Sequence, residues 1–157
     1  MIEAYAAGFF DGEGNIDIRY RKTGGGKYQR FELRITVVQI DRRPLELMQD
    51  KWGGSIARRK QNTCSQWVAS GRQAATFLHD VFDFLIVKRE EAEVALAFYA
   101  FAASIEPKYR TGAEGKGFVP HSQEVIDKKV VYMETIRAIR AEGKVAPRSN
   151  RNTVQAA

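Results

Sequence analysis

The spacing of apolar and polar positions predicts a helix at the start of the chain. Ile2, Tyr5, Ala6, Phe9 and Phe10 recur at helical spacing and form a bulky face over about Ile2 to Asp11. The opposite stripe, Ala4, Ala7, Gly8 and Asp11, carries small side chains. The bulky face belongs in the helix's own core, while the small face lets another helix backbone approach closely. A period-two segment follows, in which Ile16, Ile18 and Tyr20 alternate with Asn15, Asp17, Arg19 and Arg21. Thr23 to Gly26 make a turn. The returning strand, Tyr28 to Ile40, directs Phe31, Leu33, Ile35 and Val37 inward and Arg30, Glu32, Arg34 and Thr36 outward. Asp41 can cap a helix that accepts Pro44 in its first turn and sets Leu45, Met48 and Trp52 toward the core before Gly53 and Gly54 end it. A second hairpin pairs Ser55 to Lys60 with Cys64 to Ser70, with Trp67 and Ala69 inward.

The remainder reads as helical. Ala74, Phe77, Leu78, Val81 and Phe82 mark a helix opened by Ser70, and Ala92, Ala95, Leu96, Tyr99 and Ala102 mark another, stopped at Pro107. The stretch from Glu106 to Val119, with Gly112, Gly115 and Gly117, predicts a long loop. Ser122 caps a last helix bearing Ile126, Val130, Met133 and Ile136 on one face. From Gly143 the composition turns polar and basic, so one domain over 1–142 and a flexible basic tail over 143–157 are expected.

At 157 residues the chain has room for one sizeable core. With 44% apolar and 28% charged residues it reads as a globular domain, neither disordered nor fibrous. No apolar run approaches the roughly 18 residues of a membrane helix, and Met1, Ile2 and Glu3 do not begin a secretion signal. A single cysteine, Cys64, excludes a disulfide framework within one chain, and His79 and His121 show no metal-ligand spacing. All three are read as structural or incidental, and an intracellular setting is expected. The net charge of +6 suits a polyanionic partner, and the basic residues crowd into Arg19 to Arg34, Arg42 to Arg43, Arg58 to Lys60 and the tail.

The segment Ala6-Ala7-Gly8-Phe9-Phe10-Asp11-Gly12-Glu13-Gly14 resembles the LAGLIDADG motif. Gly8, Asp11, Glu13 and Gly14 stand where that motif has its glycine, two acids and final glycine, with Glu as the second acid and Ala6 in place of the leading Leu. The resemblance extends through hairpin, helix, hairpin and helices to about Ser104. It implies an α+β fold, LAGLIDADG endonuclease-like, with a saddle-shaped antiparallel sheet over DNA. The activity implied is that of a site-specific homing endonuclease, cutting duplex DNA by metal-dependent phosphodiester hydrolysis. The chemistry of the residues agrees. Asp11 and Glu13 fall at the C-terminal end of a helix, where the macrodipole is negative and acids call for a compensating cation. Gly12 and Gly14 let the chain leave the helix and free carbonyls to face that cation. Carboxylate and carbonyl oxygens, here Glu13 and Gly12, suit Mg2+, and Mn2+ or Ca2+ could occupy the same site. Taken alone, Asp11 to Gly14 also reads as an ordinary helix-ending turn.

Only one copy of the motif is present, since Ala113 to Gly117 lacks a preceding apolar helix. Single-motif members pair as homodimers through their motif helices, so the resemblance implies a homodimer on a long pseudo-palindromic target. Ala4, Ala7, Gly8 and Asp11 would then line the seam; the lesser alternative is that the stripe receives a helix of its own chain. By position, the resemblance implies catalytic roles for Gln39, for Lys88 in organising water, and for Arg43, or Arg42 in its stead, near the scissile phosphate. Gln39 shares the parity of Val37, so it reaches the site only from a strand end or a bulge. Asn15, Asp17, Arg19, Arg21, Arg30, Glu32, Arg34 and Thr36 mix donors and acceptors as base-edge contacts require, and Ser55, Ala57, Arg59, Gln66 and Val68 extend the surface. A solvated sheet face is the plain alternative. The rival functions are a cleavage-silent member that binds nucleic acid in RNA splicing or regulation, and an unrelated small basic nuclease. The second is disfavoured by the scarcity of His and Cys.

Overall fold

The computed structural model describes residues 1–26, 28–59, 63–105, 109–110 and 117–145. Helix α1 (Ile2–Glu13) passes directly into β1 (Gly14–Thr23), which pairs antiparallel with β2 (Tyr28–Gln39). Then follow α2 (Arg43–Trp52), the hairpin β3 (Ser55–Arg58) and β4 (Ser65–Ser70), α3 (Gly71–Val81) and a 3-10 turn at Phe82–Phe84. Helix α4 (Arg89–Ser104), a short ladder of β5 (Tyr109–Arg110) with β6 (Gly117–Phe118), and α5 (Gln123–Val145) complete the order. The four-stranded sheet runs β1-β2-β4-β3. One face is lined by buried Ile16, Ile18, Leu33, Ile35, Val37, Trp67 and Ala69, and helices cover it.

The period-two pattern therefore places the inward residues as expected. Phe77 of α3 sits at the centre of the core, with edge contacts to Phe10 at 5.0 Å, Trp52 at 4.9 Å and Trp67 at 5.3 Å. Three elements thus meet α3 through one ring, each pair adding about 0.5–1.5 kcal/mol beyond the area it buries. The indole Nε1 of Trp67 donates to the Gly53 carbonyl and that of Trp52 to Asp80, so neither buried N–H is orphaned.

Several boundaries differ from the sequence reading. Helix α1 runs through Gly12 to Glu13, and Gly14 follows in extended conformation at φ −80°. Glycine is required at 14 for space: a Cβ there would come within 2.5 Å of the Phe10 carbonyl oxygen. The two faces of α1 also divide differently. Ala7, expected on the open stripe, is fully buried in its own core, whereas Tyr5, expected inside, is half exposed. Asp41 is not itself the N-cap of α2. Arg42 holds that position, and Asp41 accepts the Arg43 backbone N–H from one residue earlier, at 3.0 Å. The segment expected as a loop over 106–119 contains the β5–β6 ladder. Pro107 and the motif-like 113–116 lie outside the described residues, and Gly117 is in β6. Helix α5 continues through Gly143 to Val145, past the expected domain boundary, and 146–157 lie outside the described residues.

Candidate functional site

The end of α1 is held by its own chain. The Asp11 carboxylate accepts three successive backbone N–H groups ahead of α4. Oδ2 takes those of Ile86 at 2.8 Å and Val87 at 3.1 Å, and Oδ1 takes that of Lys88 at 2.9 Å. Such a run of N–H groups forms an anion-binding nest, and the positive end of α4 adds to it. The Lys88 ammonium donates back to the Asp11 carbonyl at 2.5 Å, setting a cation against the negative end of α1. Asp11, expected on the open face, therefore turns its carboxylate inward to anchor α4.

Glu13 differs. It is exposed and, among the described residues, has no hydrogen-bond or ion-pair partner. It stands one residue before β1, at the margin of the polar sheet face that begins at Asn15. Gln39 is the last residue of β2. Because Val37 pairs with Gly14, Gln39 lies about 7 Å further along, past the start of β1. A strand end, not a bulge, thus brings it to the junction of α1 and β1. Its Oε1 accepts the Ile40 N–H at 2.8 Å. Arg43 is clasped by Asp41 through Nε and Nη2 and stays exposed. These hydrogen bonds, aided by charge attraction, hold the Asp41 carboxyl down at about 2 and raise the Arg43 guanidinium. Arg42 pairs instead with Glu46, so the first turn of α2 already engages both arginines with acids of their own chain.

A cleft of about 420 Å³ adjoins the motif, lined by Gly14, Asn15, Lys88, Glu90, Glu91 and Arg140 among others. Arg140 of α5 bonds Glu91 at 3.1 and 3.3 Å and also reaches the Ile16 carbonyl. It neutralises a carboxylate in a residue only 8% exposed. The sequence reading missed this pair, although Arg140 follows Met133 and Ile136 at stripe spacing, where a charge calls for a partner.

The outward sheet residues form cross-strand rows. Asn15, Thr36, Val68 and Ser55 make one row, and Val38, Gln66 and Ala57 another. Asp17 stands opposite Arg34 and Arg19 opposite Glu32, while Arg21 faces Arg30. Opposite charges face each other across these two pairs, and the Arg21–Arg30 pair leaves net positive charge near the hairpin tip. Burial draws the Arg34 guanidinium down, reinforced by Arg19 and Arg21 and opposed by Asp17 and Glu32. Arg59 is exposed just past β3, where its N–H still bonds the Cys64 carbonyl.

On α1, Ala4, Tyr5 and Gly8 are exposed, and among the described residues nothing beyond the adjoining helix backbone lies within 4 Å of a Cβ at Gly8. Exposed Phe84, Ile86 and Val87 belong to the segment anchored to the end of this helix. A family model described as LAGLIDADG endonuclease matches residues 6–89, more than half the chain and the whole span from motif to Lys88. The chain belongs to the LAGLIDADG endonuclease family. No curated protein matches it. Solved structures of DNA-bound homing endonucleases share the fold. I-CvuI, with the I-CreI target in 2 mM Mg and the DNA not cleaved, superposes with a TM-score of 0.70 at 18% identity, covering 87% of this chain and 80% of that one. The archaeal intron-encoded I-Vdi141I, complexed with DNA, gives 0.67 at 18% over 87% and 82%. I-SmaMI, on uncleaved DNA with calcium, gives 0.64 at 20%, covering 92% of this chain but 49% of that one.

Proposed function

We propose that this LAGLIDADG chain is a site-specific homing endonuclease that makes a double-strand break in duplex DNA as a Mg2+-dependent homodimer. The observation that carries the reading is the division between the two acids. Asp11 is fully engaged by three backbone N–H groups, whereas Glu13 remains open beside a polar, net basic sheet face.

The donor set fits a hard cation. Among the described residues no cluster of three His, Cys, Asp or Glu side chains exists, so a single chain offers Glu13 and nearby carbonyls such as that of Gly12. Mg2+ is commonly held by one or two carboxylates, with water and substrate phosphate filling the remaining positions. When bound it supplies water activation and neutralises charge at the scissile phosphate. Lys88 already supports the helix end that presents Glu13, and Gln39 offers a carboxamide at the same junction. In this reading both position water, and Arg43 exchanges Asp41 for phosphate when DNA arrives.

The open α1 face supports pairing with a second copy. Ala4 and Gly8 allow close approach, Tyr5 and the apolar Phe84, Ile86 and Val87 flank them, and such patches mark interaction surfaces. One copy also matches half of the longer I-SmaMI chain, so a second copy would supply the rest. The rows of Asp17, Arg19, Arg34 and Thr36 then read base edges, since a two-stranded ribbon fits the major groove.

Glu13→Gln tests the proposal. The variant keeps size and fold, removes the charge that repels phosphate, and should bind target at least as tightly as wild type in chelator. Its cleavage with Mg2+ should fall by several orders of magnitude. Undiminished cleavage removes Glu13 from the mechanism. Specific binding without cleavage by the wild type points instead to a binding role.

A further inference from the structure

The outward face of the sheet changes character along its length. The register sorts its side chains into rows two residues, or about 7 Å, apart. Arg21 and Arg30 form the row nearest the hairpin tip, followed by Arg19 with Glu32 and then Asp17 with Arg34. Neither of the next two rows carries a charge. Asn15, Thr36, Val68 and Ser55 stand together in one, and Val38, Gln66 and Ala57 in the other. Because Val37 pairs with Gly14, this last row lies beside the junction of α1 and β1 that carries Glu13. Val38 and Val68 are half-buried and Ala57 is exposed, so the neutral rows present apolar surface as well as amides and hydroxyls. Among the described residues, the charged side chains of the outer rows form no hydrogen bond or ion pair within the chain. Arg42, Arg43 and Arg140, by contrast, are all engaged with acids. A recess of about 240 Å³ opens between Arg19, Arg21, Arg30 and Glu32.

We infer that each half-site of the DNA target is divided in base composition, with G·C pairs under the two mixed-charge rows and A·T pairs under the two neutral rows beside Glu13. The inference rests on the DNA-binding reading above and adds what that surface selects. An arginine donates two hydrogen bonds to guanine O6 and N7, and a carboxylate accepts from cytosine N4. A row that sets one arginine opposite one acid therefore carries donors and acceptors for both halves of a G·C pair. Asp17 and Glu32 would only weaken a surface that gripped phosphates, so their place among the arginines marks base reading. The tip row, Arg21 with Arg30, has donors alone, which suit guanine and phosphate alike. In the neutral rows Asn15 and Gln66 match adenine N6 and N7, while Val38, Val68 and Ala57 match the thymine methyl. At about 3.4 Å per base step each row covers about two base pairs, so each segment spans about four.

The test starts from the full wild-type chain in chelator, selecting its target from duplexes of randomised sequence. The selected half-site should be A·T on its inner side and G·C on its outer side. Two base analogues then probe single atoms of that duplex. Deoxyuridine in place of thymidine removes only the methyl and should weaken binding about fourfold per contacted inner position, with no effect at thymidines outside that segment. 7-Deazaguanine removes the N7 acceptor and should weaken binding by about fivefold or more at the outer G·C positions. Val68→Ala should erase the deoxyuridine penalty at its own position and keep the deazaguanine penalty. Arg34→Ala should do the reverse, and this exchange of responses separates loss of a contact from loss of fold. The opposite order of base pairs, or equal sensitivity to both analogues along the half-site, overturns the division and leaves DNA binding standing. Failure to select any duplex refutes the DNA-binding reading and the division with it. Selection of the divided half-site by a chain that does not cleave it with Mg2+ upholds the division and refutes the endonuclease reading alone.

Discussion

Replacing Asp11 separates a residue that holds the fold from one that serves the subunit seam. The carboxylate satisfies three N–H groups at 2.8, 3.1 and 2.9 Å, and Asp11→Ala removes both acceptor oxygens at once. Water can replace two of the three bonds, because Ile86 and Val87 are 86% and 72% exposed. The Lys88 N–H is half-buried and recovers less. Losing a helix cap costs about 1 kcal/mol, a bond to a charged acceptor about 1.5–3 kcal/mol where water cannot substitute, and the field at the start of α4 a few tenths more. The sum is about 2–4 kcal/mol for Asp11→Ala. Asp11→Asn keeps one acceptor oxygen but turns an amide donor toward the nest, and should cost about 1–3 kcal/mol. At roughly 2–4 °C per kcal/mol for a chain of this size, Asp11→Ala should melt about 5–15 °C below wild type. Thermal and urea unfolding, each run at several protein concentrations, supply the assay. An intrachain anchor gives a deficit independent of concentration, whereas a seam residue gives one that shrinks on dilution as both proteins become monomeric. Unfolding that coincides with wild type, or a deficit that disappears on dilution, would refute the anchor.

Three further substitutions probe other parts of the molecule. Gly8→Leu should weaken self-association by about 1–3 kcal/mol through overpacking, while the monomer holds or gains stability because, among the described residues, nothing beyond the adjoining helix backbone lies within 4 Å of the new Cβ; light scattering beside urea unfolding checks both halves. Arg140→Met strands the buried Glu91 carboxylate and should cost about 2–3 kcal/mol, the usual 3–5 discounted because the Arg140 side chain is 30% exposed; adding Glu91→Gln should recover most of the loss in denaturant midpoint. Asp41 is held at about 2 against an ordinary 3.8, a lowered value, so the Arg43 clasp is complete above 3.8 and lost as pH falls toward 2; carboxyl NMR of Asp41 should show it still ionised at about pH 3, and a midpoint near 3.8 would mean that the clasp does not form.

Most of the fold was legible because side-chain period is local. Ile16, Ile18, Leu33, Ile35, Val37, Trp67 and Ala69 all face inward as alternation requires, since a one-residue slip would move each of them to the opposite face. The α1 faces were harder. Assigning bulk to the core and small residues to a partner assumes that close approach occurs only between chains. Ala7 shows otherwise: it is small because α1 also presses on its own core, and the exposed stripe shifts to Ala4, Tyr5 and Gly8. The role of Asp11 was invisible for a different reason, because its donors lie 75 to 77 residues downstream. Arg140 reaches Ile16 across 124 residues. Neither partner can be read from local pattern. The strand-end position of Gln39 was foreseeable as a condition, and the register of Val37 on Gly14 meets it.

In the proposed reading, the division between Asp11 and Glu13 explains why a second chain would take part. Two acids at one helix end repel each other and the helix dipole, so a fold that leaves both open would weaken that end. Here the nest before α4 takes up the first acid and Lys88 caps the carbonyl end, which neutralises most of the local negative field within the chain. What remains at this helix end is one open carboxylate, at the margin of a face on which Asp17 and Glu32 stand opposite arginines in the register. One such group can attend one strand of a duplex. On that reading, cutting both strands would call for a second Glu13, and the surface that would admit a second chain, Ala4, Tyr5 and Gly8, lies on the same helix that presents it. In this reading the helix couples assembly to catalysis: a substitution that separates the two chains should lose double-strand cleavage even though every residue of each site survives.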